Sequence, residues 1–137
     1  NTFKLVLVTV PIIFVVSLTL AILLVQPLKL VGLFRASYYW PVMVSAVVVG
    51  LMWNWILATD RSIFNQVLFW LGFDKVDTLT SPLFAWWAVV FAIVWSRAGY
   101  YMIIFVAALF SVPVSLYEAA RMDGASKIQR FLYVTWP

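Results

Sequence analysis

Apolar residues run in blocks along this chain and do not alternate with polar ones. Leu5–Val25 carries no charge, and neither does Ala36–Ala58. Thr78–Tyr117 carries a single charge, Arg97. A helix rising 1.5 Å per residue needs about 20 apolar residues to cross a bilayer. The first two blocks therefore predict one spanning helix apiece, over about 5–25 and 36–58. The third is too long for one upright helix. It predicts either a long tilted helix over about 83–112, or a short interfacial helix followed by a span from about Val94 to Val112. Barrel strands would alternate polar and apolar residues, and these blocks do not. The fold class is all-α and integral to the membrane. Pro11 and Pro41 sit in or near spans, where neighbouring helices satisfy the freed carbonyls, and they predict local kinks.

Two polar segments separate or follow these blocks. In the 60–81 loop, Ile63, Val67, Leu68 and Leu71 recur at helical spacing and Gly72 ends the run. Two readings stay open there: a helix lying in the outer interface, or a docking contact for an external partner. The second polar segment is YEAARMDGASKIQRFLYVTWP, 117–137. Ser115 and Glu118 have capping-box spacing, as do Ser126 and Gln129. Asp123–Gly124 between them is a turn signal. Pro113 and Pro137 bracket the segment, which predicts two short helices joined at Gly124 directly after a span. Ala119, Ala120 and Ala125 are small enough for another backbone to come close. That surface suits a groove on a partner protein. The alternative is an amphipathic helix on the membrane, with Met122, Ile128, Phe131 and Leu132 toward lipid.

Composition agrees with a lipid solvent. The 137 residues are 66% hydrophobic and 10% charged, against about 25% charged in soluble domains. The net charge of +4 is scattered between apolar blocks, which argues for cytoplasmic loops against anionic lipid and not for nucleic acid. Lys29 and Arg35 occupy the 26–35 loop without an acid, and Arg121, Lys127 and Arg130 follow the third block. Asp60, Asp74 and Asp77 face only Arg61 and Lys75 in the middle loop. The positive-inside rule places 26–35 and 115–137 in the cytoplasm and 60–81 outside. Trp53, Trp55, Trp86 and Trp87 flank the outer loop as an aromatic belt. The opening block is too long and uninterrupted for a signal peptide. With Asn1 and Pro137 as its ends, the chain reads as an internal piece of a larger membrane protein.

The absence of His and Cys removes the commonest general base, thiolate chemistry and disulfides. The five acids lie outside the apolar blocks, so no intramembrane catalytic constellation forms. No Gly-rich Lys-Ser/Thr phosphate loop is present either. An enzyme is not expected, nor a metal site.

The polar segment EAARMDGASKIQRFLYVTWP resembles the EAA motif of binding-protein-dependent ABC importers. Glu118, Ala119, Ala120, Asp123, Gly124, Ala125, Phe131 and Pro137 stand at matching positions, while Trp136 departs from the more usual Leu. FRASYYWPVMVSAVVVGLMWNWIL is similar to the second core span of these permeases. WSRAGYYMIIFVAALFSVPVSLYEAARMDGA is similar to the carbohydrate-type subfamily, the maltose and glycerol-phosphate permeases among them. The family continues past the motif with further spans. The resemblance implies a type I importer transmembrane fold in which 115–137 is a coupling helix that enters a cleft of an ATP-binding subunit. It also implies a second permease chain and an extracytoplasmic solute-binding protein as partners. ATP and Mg²⁺ would be bound on the ATPase subunits, with no cofactor on this chain. The location implied is a bacterial or archaeal cytoplasmic membrane, and the cargo a sugar or sugar derivative carried by alternating access. Another solute class, such as polyamine, phosphate or peptide, stays open, as does a non-transport membrane scaffold. Three spans alone do not enclose a translocation path.

Arg97 is the substrate-path candidate with the highest energetic demand. At the bilayer centre a charge costs roughly 2.5–3.5 kcal/mol on insertion scales and should face a cavity or partner. Were the span to begin near Val94, Arg97 would sit at the outer interface and snorkel. The resemblance points to the cavity. Trp95 and Tyr100 are further candidates, since aromatic faces suit sugar C–H faces and Tyr and Arg hydrogen-bond sugar hydroxyls. Tyr101 reads as a packing residue and Asn54 as interfacial. Gly99 either admits a neighbouring helix or loosens its own.

Overall fold

The computed structural model describes residues 1–26, 31–58, 62–74 and 79–136. Among them are helices and turns and no strand. Lys29, Asp60, Arg61, Lys75, Asp77 and Pro137, used above for topology and motif, lie outside the described residues.

Helix α1 (Thr2–Val25) runs unbroken through Pro11. Helix α5 (Pro82–Ser111) is one continuous helix of 30 residues, so the third block forms a long helix and not two pieces. These two are long and apolar enough to cross a membrane unaided. They lie side by side and run in the same direction. The Ser17 hydroxyl donates to the Ala98 carbonyl at 3.0 Å. Further along both helices, Ala21 and Leu24 share a buried cluster with Met102 and Val106. Residue numbers rise together on both helices, which fixes the parallel sense. Buried Ser17 meets Ala98, and buried Ala21 packs with Met102; small residues such as Ser17, Ala21 and Ala98 let membrane helices approach closely. Replacing Ser17 by Ala should cost roughly 0.6–1.7 kcal/mol, the range of interhelical hydrogen bonds in membranes. Ser17→Leu should hold the helices apart and lower the midpoint of thermal unfolding in mild detergent far more. A wild-type midpoint for Ser17→Leu would sink this account of the seam.

The second block is not one spanning helix over 36–58. Helix α2 (Val31–Tyr39) passes into a 3₁₀ turn, Trp40–Met43, and α3 (Ala46–Leu57) then leaves at 98° to the first half. This is far more than the local kink expected at Pro41. Proline has no N–H and its ring crowds the preceding turn. Val44 and Ser45 are then both extended, with ψ near 134° and 140°, and two extended residues in succession end any helix. Packing holds the bend in place. Pro41 is buried, and the Tyr38–Tyr39 backbone crosses α5 directly over Gly99. A Cβ built on Gly99 would lie 2.8 Å from the Tyr38 carbonyl carbon and 3.2 Å from Tyr39 Cα, with the Tyr38 oxygen nearer still. Gly99 therefore serves close approach.

Arg35 belongs to α2 and not to a loop. Its Nη2 donates to the Leu24 carbonyl at 2.9 Å, at the end of α1, where unpaired carbonyls and the helix dipole favour a cation. Its guanidinium carbon also lies 5.8 Å from the centroid of Phe110, in the last turn of α5. One side chain thus ties together the C-terminal ends of both long helices.

The expected loop helix is α4 (Ile63–Trp70). The Ser62 side chain accepts from the Asn65 N–H at 2.9 Å. Gly72 has φ +82°, and Phe73 N–H bonds back to Leu68 O at 2.9 Å, a Schellman stop. Ile63, Val67, Trp70 and Leu71 form an apolar face that the described chain leaves exposed.

Candidate functional site

The polar segment folds as α6 (Val114–Met122), a turn, α7 (Lys127–Arg130) and a π-helical turn, Phe131–Thr135. Gly124 has φ +74°. Gly124 N–H bonds to Arg121 O at 3.0 Å and Ala125 N–H to Ala120 O at 2.9 Å. These two bonds make a Schellman turn, which requires the left-handed conformation that glycine adopts without penalty. The capping box predicted at Ser126 is present. Gln129 N–H donates to Ser126 Oγ at 3.3 Å, and Ser126 N–H donates to Gln129 Oε1 at 2.8 Å. The box predicted at Ser115 and Glu118 is not. Helix α6 starts two residues earlier than a Ser115 cap would place it, at Val114 after Pro113, with no side-chain cap bond. Pro113 fixes φ and is pre-organised for a helix start, which moves Ser115 inside the helix and leaves Glu118 free of any capping role.

The turn presents its small and charged residues outward. Glu118, Ala119, Asp123 and Gly124 are exposed, and Ala120 and Ala125 half-buried. Met122 is 89% exposed and Ile128 72%, so two large apolar side chains flank the glycine with little from the described residues upon them. The stem is fastened down. Tyr117 Oη and Thr135 Oγ1 are 2.9 Å apart, joining the outgoing and returning strands of the loop. Trp136 packs edge-on against Phe14 of α1 at 6.0 Å between ring centroids, and Phe14 against Phe105 of α5 at 5.3 Å. The exposed turn is thereby joined through these contacts to the α1–α5 pair. Sequence reasoning did not foresee this anchor. Its only signal was Trp136 itself, the departure from the motif.

The three substrate-path candidates do not converge. Trp95 packs edge-on against Trp53, with centroids 5.7 Å apart, and Trp53 against Phe91 at 5.2 Å. Trp53 thus turns inward from the expected belt. Trp95 also lines a cavity of about 510 Å³ between α1, the 3₁₀ turn and α5, whose walls include Val16, Leu20, Val90 and Val94. Walls of that kind offer a sugar few hydrogen bonds. Arg97 is two residues on, roughly the opposite side of the helix. With Ile93 and Ser96 it lines a separate groove of about 500 Å³ against Pro41, Ala46 and Gly50. Tyr100, three residues further, shares the Arg97 side, is exposed, and packs against Tyr101 at 5.3 Å. Asn54 is exposed on α3. Among the described residues no group of three or more potential metal ligands occurs.

Residues 2–137 match the model of the family described as binding-protein-dependent transport system inner membrane component. The chain belongs to that family. This family of inner membrane components accounts for the apolar helices and for a multi-pass protein. The chain is 38% identical over 123 residues to the xylose/arabinose import permease protein XacH of Haloferax volcanii, an alignment covering 90% of this chain and 39% of the relative. It is 36% identical over 121 residues to the diacetylchitobiose uptake system permease protein NgcF of Streptomyces coelicolor, covering 82% and 33%. Its fold matches a chain of a bacterial alginate ABC transporter, solved in complex with an alginate pentasaccharide-bound periplasmic protein. There the TM-score is 0.89 and the identity 27%, over 98% of this chain and 48% of that one. The chain spans less than half the length of each of these proteins. The ABC importer permease fold expected from the EAA segment is the fold observed.

Proposed function

We propose that this chain is the core of a permease subunit that moves a sugar or sugar derivative inward by alternating access, driven by separate ATP-binding subunits. The observation that carries the reading is the exposed Gly124 turn, fastened through Tyr117–Thr135 and Trp136–Phe14 to the two long helices. Glu118, Ala119, Ala120, Asp123, Gly124 and Ala125 form the surface that meets the ATPase. The small residues admit its backbone, and either acid is placed to pair with a basic residue there. ATP and Mg²⁺ belong to those subunits, and this chain binds no cofactor. A second permease chain completes the path, and an extracytoplasmic binding protein delivers the solute. In this topology 115–137 is cytoplasmic and 60–81 external, so the exposed apolar face of α4 lies in the outer interface. Relatives named for xylose/arabinose and diacetylchitobiose import, and a structural neighbour that handles alginate, support a carbohydrate cargo. The path runs along the Arg97–Tyr100 side of α5, while Trp95 packs behind it.

The test is affinity purification of the intact parent protein in mild detergent, with mass identification of its partners. An ATP-binding subunit and a second permease are expected, together with a crosslink from a cysteine placed at Ala120 to the ATPase. Reproducible isolation of the protein alone, with no Ala120 crosslink in native membranes, would overturn the reading.

A further inference from the structure

Arg97 follows Pro82 by fifteen residues and precedes Ser111 by fourteen, so it stands at the middle of α5. The hydrocarbon core takes about 20 helical residues. Whichever stretch of that length in α5 fills the core, Arg97 lies several residues inside its edge. A charge this far along the span is stabilised by a counter-charge or by water. Arg97 is nevertheless exposed, and no hydrogen bond or ion pair holds it to any described residue. No other part of these helices can neutralise it. Helices α1, α2, α3 and α5 contain no Asp or Glu at all. Arg97 instead lines a groove with Ile93, Ser96, Pro41, Ala46 and Gly50. Gly50 keeps the opposite wall low, with nothing within 4 Å of where its Cβ would stand. A planar cation with free donors, beside a roomy groove, selects a planar or tetrahedral oxyanion.

We propose that the solute carried past Arg97 bears an anionic group, a carboxylate or sulfate on a sugar, and that Arg97 is its transient counter-ion. This rests on the importer reading above and sharpens it from sugar to acidic sugar. The guanidinium fork would hold two oxygens of the anion while the groove accommodates the ring. The pairing also relieves the cost of the buried cation only while solute is present, so the solute's charge lowers the energy of the occupied, mid-membrane state.

The experiment uses the intact importer, with its ATPase and binding protein, in proteoliposomes. Uptake is measured for galacturonate disaccharide and sulfated galactose against neutral galactobiose and maltose. Wild type is expected to import at least one acidic sugar and to prefer it over its neutral counterpart. Arg97→Gln should lower that uptake at least tenfold, whereas Arg97→Lys, which keeps the charge but loses the two-oxygen fork, should lower it less than Gln does and also shows that the site tolerates change. Acidic-sugar uptake by Arg97→Gln equal to that of wild type, or wild-type import of the neutral sugars alone, overturns the anionic assignment and leaves the sugar importer standing. Equal loss of acidic and neutral uptake in Arg97→Gln overturns it too, and assigns the counter-charge to protein. Failure of wild type to import any sugar, with ATPase and binding protein assembled, overturns the sugar reading itself.

Discussion

Replacing Gly99 by Val should abolish the folded permease, and Gly99→Ala should already weaken it severely. Helix α5 meets the Tyr38–Tyr39 main chain at this point, with less room than a single methyl group needs. Over-packing usually costs about 1–3 kcal/mol because flexible side chains give way. Here the obstruction is a carbonyl and a Cα, and the segment that carries them is held by buried Pro41 on one side and Arg35 on the other. The backbone cannot retreat without breaking the Arg35–Leu24 bond or altering the 98° bend. Gly99→Ala is therefore expected at or above the upper end of that range, and Gly99→Val beyond the total stability of a marginal membrane subunit. Thermal unfolding in detergent and the protein level in membranes measure this directly. Gly50→Ala is the matched control. It puts the same methyl on a helix glycine with open space around it, and it should fold normally. Wild-type stability for Gly99→Ala would mean that the crossing of α2 over α5 is wrong.

That crossing shows where the sequence was legible and where it was not. Long apolar blocks identify α1 and α5 because length and uniform hydrophobicity are properties of one segment alone. The Gly124 and Gly72 turns and the Ser126 capping box were legible for the same reason: each is a local arrangement of a few residues. The break at Pro41–Ser45 was not. Proline in lipid permits anything from a kink to a right angle, and the choice depends on what Tyr38 and Pro41 pack against, residues some sixty positions away. Trp53 was read as a belt residue because its position in the chain is near an outer loop. The bend of α3 carries it inward onto Phe91 and Trp95. Arg35 and Trp136 likewise acquire meaning from contacts that no periodicity encodes. For the substrate path, the residues named were adjacent in sequence, whereas a helix sends positions 95 and 97 to opposite sides.

Gly124→Leu should leave the permease folded and in the membrane while lowering coupled uptake at least tenfold. The two halves of that expectation have separate causes. A Cβ added there meets nothing within 4 Å, and the stem stays fixed by Tyr117–Thr135 and Trp136–Phe14. The surface, however, changes in two ways. A residue with a Cβ at φ +74° costs roughly 1–2 kcal/mol, which loosens the Schellman turn. Leucine also stands between Met122 and Ile128, where the small residues otherwise leave a flat approach. Gly124→Asn separates the two effects, because asparagine adopts the left-handed conformation readily but still projects a side chain. If Asn restores uptake, the partner requires the shape of the turn. If Asn fails as Leu does, it requires the empty space above it. Solute-stimulated ATPase activity in the assembled complex should fall in step with uptake, since both depend on the same contact. Normal uptake and normal stimulation in both variants would show that nothing docks on this turn, and the segment would then be an amphipathic surface helix whose exposed Met122 and Ile128 face lipid.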